Sequence, residues 1–95
     1  MPEMRFRIRW PDGTAETCYS PSLVVRDFFT PGESYPLADF VARARDALDI
    51  AAERVKLKYG FRCSRATAQL ARIETAAAAF ENIPRARVIV DAFED

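Results

Sequence analysis

The chain has 95 residues, 49% of them apolar and 29% charged, with 14 basic and 14 acidic side chains in balance. That is one domain with one modest core, too apolar for disorder, and its zero net charge exerts no global pull toward nucleic acid or an anionic membrane. The sequence contains no histidine, which excludes Ser-His and Cys-His catalysis, histidine bases and the usual zinc sites.

The opening residues Met1-Pro2-Glu3-Met4-Arg5 carry no basic-then-apolar leader. No apolar run approaches the roughly 20 residues of a membrane helix, so the expected location is the cytoplasm. In residues 4–10, Met4, Phe6, Ile8 and Trp10 alternate with Arg5, Arg7 and Arg9. This period of two predicts a half-buried strand. Pro11-Asp12-Gly13 is a turn: proline presets one backbone angle, aspartate bonds its own backbone and glycine accepts a positive φ. Residues 14–20 return as the second strand of a hairpin, and Pro21 ends it.

Residues 21–35 carry the weakest pattern. Residues 23–29 fit either a short strand or a helical turn, with Phe28 or Phe29 expected to pin the loop to the core. Ser34-Tyr35-Pro36 is read as a helix start, with Pro36 near the first position, where a missing N–H costs nothing. Leu37, Phe40, Val41, Ala44, Leu48, Ala51, Val55 and Tyr59 then recur at threes and fours, one apolar stripe of a long helix. Asp39 with Arg43 and Arg45 with Asp49 are i,i+4 pairs on its outer side. Gly60 occupies the left-handed position after its end. Ser64 is the expected N-cap of a second helix, with Ala66, Leu70, Ile73, Ala77 and Phe80 on its buried stripe. Asn82 and Pro84 end that helix. Residues 87–93 are β-rich and predict a last strand, followed by an acidic tail of Glu94 and Asp95.

The predicted fold is a single α+β domain over residues 1–95 in the order β-β-α-α-β. It has a small, mainly antiparallel three-stranded sheet with a two-helix hairpin packed on one face. The last strand is expected beside the first, its direction open.

Three constellations carry chemistry. Arg5, Arg7 and Arg9 form a basic row that either meets phosphates or an acidic partner, or pairs across the sheet with Glu16 or Asp91. The second lies in residues 54–72, where Arg54, Lys56, Lys58, Arg62, Arg65 and Arg72 occur without one acid. The first three suit the end of a helix dipole. Arg62, Ser64 and Arg65 sit at a helix start and make a candidate site for a small anion. The third is the pair of thiols: Cys63, beside that helix start, is a candidate nucleophile, whereas Cys18 in a strand is expected to be inert. Two cysteines without histidine are too few for a metal cage, and no cofactor motif is present: the three glycines all lie at turns.

Four segments together resemble a known family: M-R-F-R-I-R-W-P-D-G, C-Y-S-P-S-L-V-V at 18–25, G-E-S-Y-P-L-A-D-F-V-A-R-A-R at 32–45 and E-R-V-K-L-K-Y-G-F-R-C-S-R-A at 53–66. They are similar to the small bacterial nitrogen-starvation-response family, whose genes are found beside those for a nitrilase, a radical SAM protein and an acetyltransferase-like protein. The resemblance covers nearly the whole chain. It implies a cytoplasmic role in nitrogen limitation and nitrile-related metabolism and assigns no catalytic residue. The family-like segments hold Cys18, Tyr19, Ser20, Arg62, Cys63, Ser64 and Arg65, which form the candidate binding face if the helices bring both segments to one end.

The leading expectation is a non-enzymatic accessory or binding protein with protein partners from the same pathway. One alternative is a small thiol-dependent enzyme or carrier-like protein using Cys63. Another is a nucleic-acid-binding regulator, which zero net charge disfavours. Homo-oligomers through open sheet edges are also compatible with the pattern.

Overall fold

In the computed structural model, which describes residues 2–94, the elements run β1 (Met4–Arg9), β2 (Ala15–Ser20), a 3-10 turn (Leu23–Asp27), β3 (Ser34–Pro36), α1 (Leu37–Tyr59), α2 (Ser64–Ala78) and β4 (Arg87–Glu94). The α+β class and the helix pair are as expected. The sheet, however, has four strands, all antiparallel, in the order β2-β1-β4-β3. The fourth is Ser34–Pro36, which the sequence reading assigned to the helix start. It pairs with Val88 and its neighbours at the sheet edge, where a proline without an N–H is tolerated. Three residues are too short to show a period of two, so only the partner strand creates this element.

The hairpin turn forms as its residues dictate. Trp10 N–H donates to Thr14 O at 2.9 Å, Gly13 takes φ 88°, and the Asp12 carboxylate accepts from Thr14 N–H at 2.9 Å. That hydrogen bond holds the Asp12 carboxyl below its ordinary value. Met4, Phe6 and Ile8 are fully buried on the inner sheet face, while Arg5, Arg7 and Arg9 face out. β4 lies antiparallel to β1, with a register shift between Arg7 and Ile8 that leaves Asp91 as an extra residue. This bulge resets the alternation: Val88 and Val90 point inward before it and Phe93 opposite Phe6 after it. The outward Arg9 reaches Asp91 at 3.3 Å and Arg7 pairs with Glu94. The cross-strand reading of the arginine row therefore holds for Asp91, while Glu16 is engaged elsewhere. Asp95 of the expected acidic tail lies outside the described residues.

The 3-10 turn makes Leu23–Asp27 helical rather than extended, and Phe28 and Phe29 follow it. Phe29 is its anchor, stacked on Phe6 and against Phe40 and Tyr35 at centroid distances of 6.1, 5.2 and 5.3 Å. Arg43 on α1 ties down the same loop, donating to Phe28 O at 2.7 Å and lying over the Tyr35 ring at 5.0 Å. α1 buries Phe40, Ala44, Ala47, Leu48, Ala51, Ala52 and Val55 and ends at Gly60 with φ 88°. The final stripe residue departs from expectation: Tyr59 is 54% exposed. α2 starts at Ser64, with Cys63 at the N-cap and no side-chain cap bond. Ser64 is therefore the first helical residue rather than the cap. Of the expected i,i+4 pairs, Asp39–Arg43 forms at 2.9 Å. Arg45 instead crosses to Glu74 on α2 at 2.8 Å. Among the described residues no helix is long and apolar enough to cross a membrane.

Candidate functional site

The turn between α1 and α2 forms one end of the helix pair. A 23-residue helix extends about 34 Å, and its last turns carry Leu57, Tyr59 and, just beyond, Phe61 into solvent at 81, 54 and 68% exposure. These are three of the large apolar side chains that the fold leaves exposed among the described residues. Lys56 and Lys58 flank them, and among the described residues neither has an ion-pair partner. The Lys58 ammonium lies 5.6 Å from the Tyr59 ring centroid.

Three other basic residues of the 54–72 run, Arg62, Arg65 and Arg72, are paired in space with acids outside it. Arg62 turns back onto α1, meeting Glu53 at 3.2 Å and Asp49 at 3.4 Å. Arg65 approaches Glu3 at 3.8 Å, and Arg72 holds Glu16 at 2.8 Å. Arg54 donates to the Ser22 hydroxyl at 2.9 Å. The Glu16 carboxylate also accepts from the Trp10 indole N–H at 3.0 Å, which locks β2 to the core and to α2.

The candidate face of Cys18, Tyr19, Ser20, Arg62, Cys63, Ser64 and Arg65 is brought together only in part. Tyr19 and Arg65 meet, the guanidinium 3.8 Å from the ring centroid, and Cys63 and Ser64 directly precede Arg65. Arg5 stands 5.9 Å from the same ring. Burial, then contact with the Glu3 carboxylate, push the Tyr19 phenol above its ordinary value, against the pull of Arg65. Tyr19 N–H donates to Gln69 Oε1 at 2.9 Å, covering part of the β2 edge with α2. Gln69 Nε2 is buried and has no hydrogen-bond partner among the described residues.

Cys18 and Ser20 do not belong to the accessible face. Both alternate inward on β2 and are fully buried. Ser20 donates to Ser22 O at 2.7 Å and shapes the bend after the strand. Burial pushes the Cys18 thiol up to about 12, so it stays protonated and unreactive. Cys63 is partly accessible, and the two thiols are free. Arg62, committed to α1, covers a small cleft of about 140 Å³ between the helices rather than joining Tyr19. Sequence reasoning missed Leu57 and Gln69. Leu57 leaves a signal, being apolar, off the buried stripe and between two lysines. Gln69 leaves none, because an amide on a helix reveals no partner. Among the described residues no group of three or more His, Cys, Asp or Glu could hold a metal ion.

Residues 5–93 match the family model described as "Nitrogen starvation-induced protein NitG". The chain belongs to that family. The match spans both the sheet and the helix pair, so the exposed tip and the Tyr19–Arg65 contact lie inside the family's domain. No curated protein and no solved structure is significantly similar to the chain.

Proposed function

We propose that the protein is a non-enzymatic accessory of the nitrogen-starvation response that binds a protein of the same pathway through the end of its helix pair. The family membership supplies the pathway. The observation that carries the binding role is the exposure of Leu57, Tyr59 and Phe61 beside the unpaired Lys56 and Lys58. Tyr19, Cys63, Ser64 and Arg65 extend this surface toward β2. Such a surface fits a partner with an apolar pocket rimmed by acids. The enzymes of the pathway, the nitrilase and the radical SAM protein among them, are the partners to look for.

The test is a tagged pull-down from nitrogen-starved cells, comparing the unmodified protein with a Leu57→Ser, Phe61→Ser double variant. Both positions are exposed, so the variant keeps its helicity. Its thermal midpoint shifts by no more than the ~0.5 kcal/mol typical of surface changes. Stoichiometric recovery of a pathway enzyme with the unmodified protein, and its loss from the variant, is the expected result. Recovery of the protein alone, or equal recovery with both, refutes the proposal.

A second reading rests on the accessibility of Cys63 at the start of α2. If the role is thiol-dependent, Cys63→Ser abolishes it, whereas an accessory role survives that change. Complementation of a deletion strain under nitrogen limitation separates the two.

A further inference from the structure

At the other end of the helix pair a groove of about 560 Å³ opens between the first turns of α1, the last turns of α2 and residues 79–86. Val41 in this groove is 16 helical residues from Leu57, about 24 Å along α1, so the groove is separate from the tip. Its volume lies in the range of small-ligand sites, and its floor is apolar, formed by Leu37, Val41, Ala77 and Ile83. Ile83 is 46% exposed, with nothing in the fold covering it.

Four charged residues line the groove, and two of them cancel. Arg45 and Glu74 bridge α1 to α2 at 2.8 Å. The other two, Glu81 and Arg85, lie four residues apart on the same segment, and neither has an ion-pair partner among the described residues. Arg85 is also the one non-glycine residue among those described with a positive φ, at 58°. A side chain kept in that disfavoured conformation is a recurrent feature of binding sites.

We propose that this groove binds a zwitterionic ligand with an apolar side chain, of the size of a free amino acid or a dipeptide. The apolar side chain lies on Leu37, Val41 and Ile83. The carboxylate meets the Arg85 guanidinium, and the ammonium meets the Glu81 carboxylate. Two opposite charges that line one groove without an ion-pair partner match a ligand that carries both. A simple carboxylic acid leaves Glu81 unsatisfied, and a simple amine leaves Arg85 unsatisfied.

The test is an amide-shift titration of the ¹⁵N-labelled protein with L-leucine and L-leucyl-L-leucine. The comparison ligands are glycine, L-leucinamide and 4-methylpentanoate, which lack the side chain, the carboxylate and the ammonium respectively. At about 10 mM, enough to occupy most of a site with a millimolar Kd, leucine or the dipeptide shifts the amides of Leu37, Val41, Ile83 and Arg85. Each comparison ligand binds at least about tenfold more weakly. Arg85→Asn abolishes the shifts, and asparagine accepts the same positive φ, so the backbone is preserved. The proposal is overturned if neither zwitterion shifts these amides, if 4-methylpentanoate or leucinamide binds as well as leucine, or if Arg85→Asn still binds.

Discussion

Neighbouring residues of β2 have opposite fates. Cys18 is fully buried while Tyr19 faces the Arg65 guanidinium, because successive strand residues point to opposite sheet faces. Cys63 differs from Cys18 because it stands at the N-cap of α2, outside the sheet, and is partly accessible. A thiol reagent at neutral pH modifies Cys63 in the native protein, and Cys18 reacts only after unfolding; mass spectrometry showing two adducts on folded chains contradicts this. The sign of the alkaline effect follows from burial. The Cys18 value is raised from 9.0 to about 12 on folding, so its contribution to stability is complete below about pH 9 and is lost as the pH rises toward 12. Denaturant melts between pH 8 and 11 should therefore fall more steeply for the unmodified protein than for Cys18→Ala. By pH 11 the difference is of the order of 3 kcal/mol.

Elements are tied to one another by a few side chains that reach between them. Glu16 on β2 accepts from both the Trp10 indole and Arg72 of α2. Glu16→Ala leaves a nearly buried indole N–H without its acceptor and costs about 1–3 kcal/mol in urea unfolding. Arg43 does the equivalent work for α1, through Asp39, Phe28 O and the Tyr35 ring. Lysine lacks the planar fork that meets all three. Arg43→Lys is thus expected to lose most of the stability that Arg43→Ala loses, about 1–2 kcal/mol, and full retention by lysine contradicts the geometry. The stripe of α1, the Pro11-Asp12-Gly13 turn and the Gly60 stop were all legible in the sequence. Each is set by neighbours within four residues. β3 and the β4 bulge were not legible. β3 exists only through its partner, and the bulge shows in sequence only as the change of spacing from Val88 and Val90 to Phe93.

The whole molecule gathers its core at Phe29, which the loop delivers between Phe6, Tyr35 and Phe40. Truncating such a residue costs about 3–5 kcal/mol, a large part of the 5–15 kcal/mol that holds a small domain together. Calorimetry should find Phe29→Ala unfolding far below the unmodified protein, and an unchanged midpoint shows that the loop anchors elsewhere. The candidate site was half legible. Tyr19 and Arg65 do meet, because α2 packs against β2. Cys18 and Ser20 were assigned to the same face by adjacency in the chain, which strand alternation overrides.

The sequence alone determined the local conformations and the apolar faces: the period of two in β1, the stripes of α1 and α2, and the glycine and proline stops. These depend on backbone preference and on which side of an element avoids water. It also excluded histidine chemistry outright. Only the tertiary structure decided the charge map. The acid-free run of residues 54–72 reads as a basic patch, yet Glu3, Glu16, Asp49 and Glu53 neutralise three of its arginines from elsewhere. What remains is Arg54, held by the Ser22 hydroxyl, and the pair Lys56 and Lys58 beside exposed apolar side chains, together with Glu81 and Arg85 on a groove at the opposite end. Coulomb interactions act through space over a few ångströms, and sequence distance carries no record of which charges folding brings within that range.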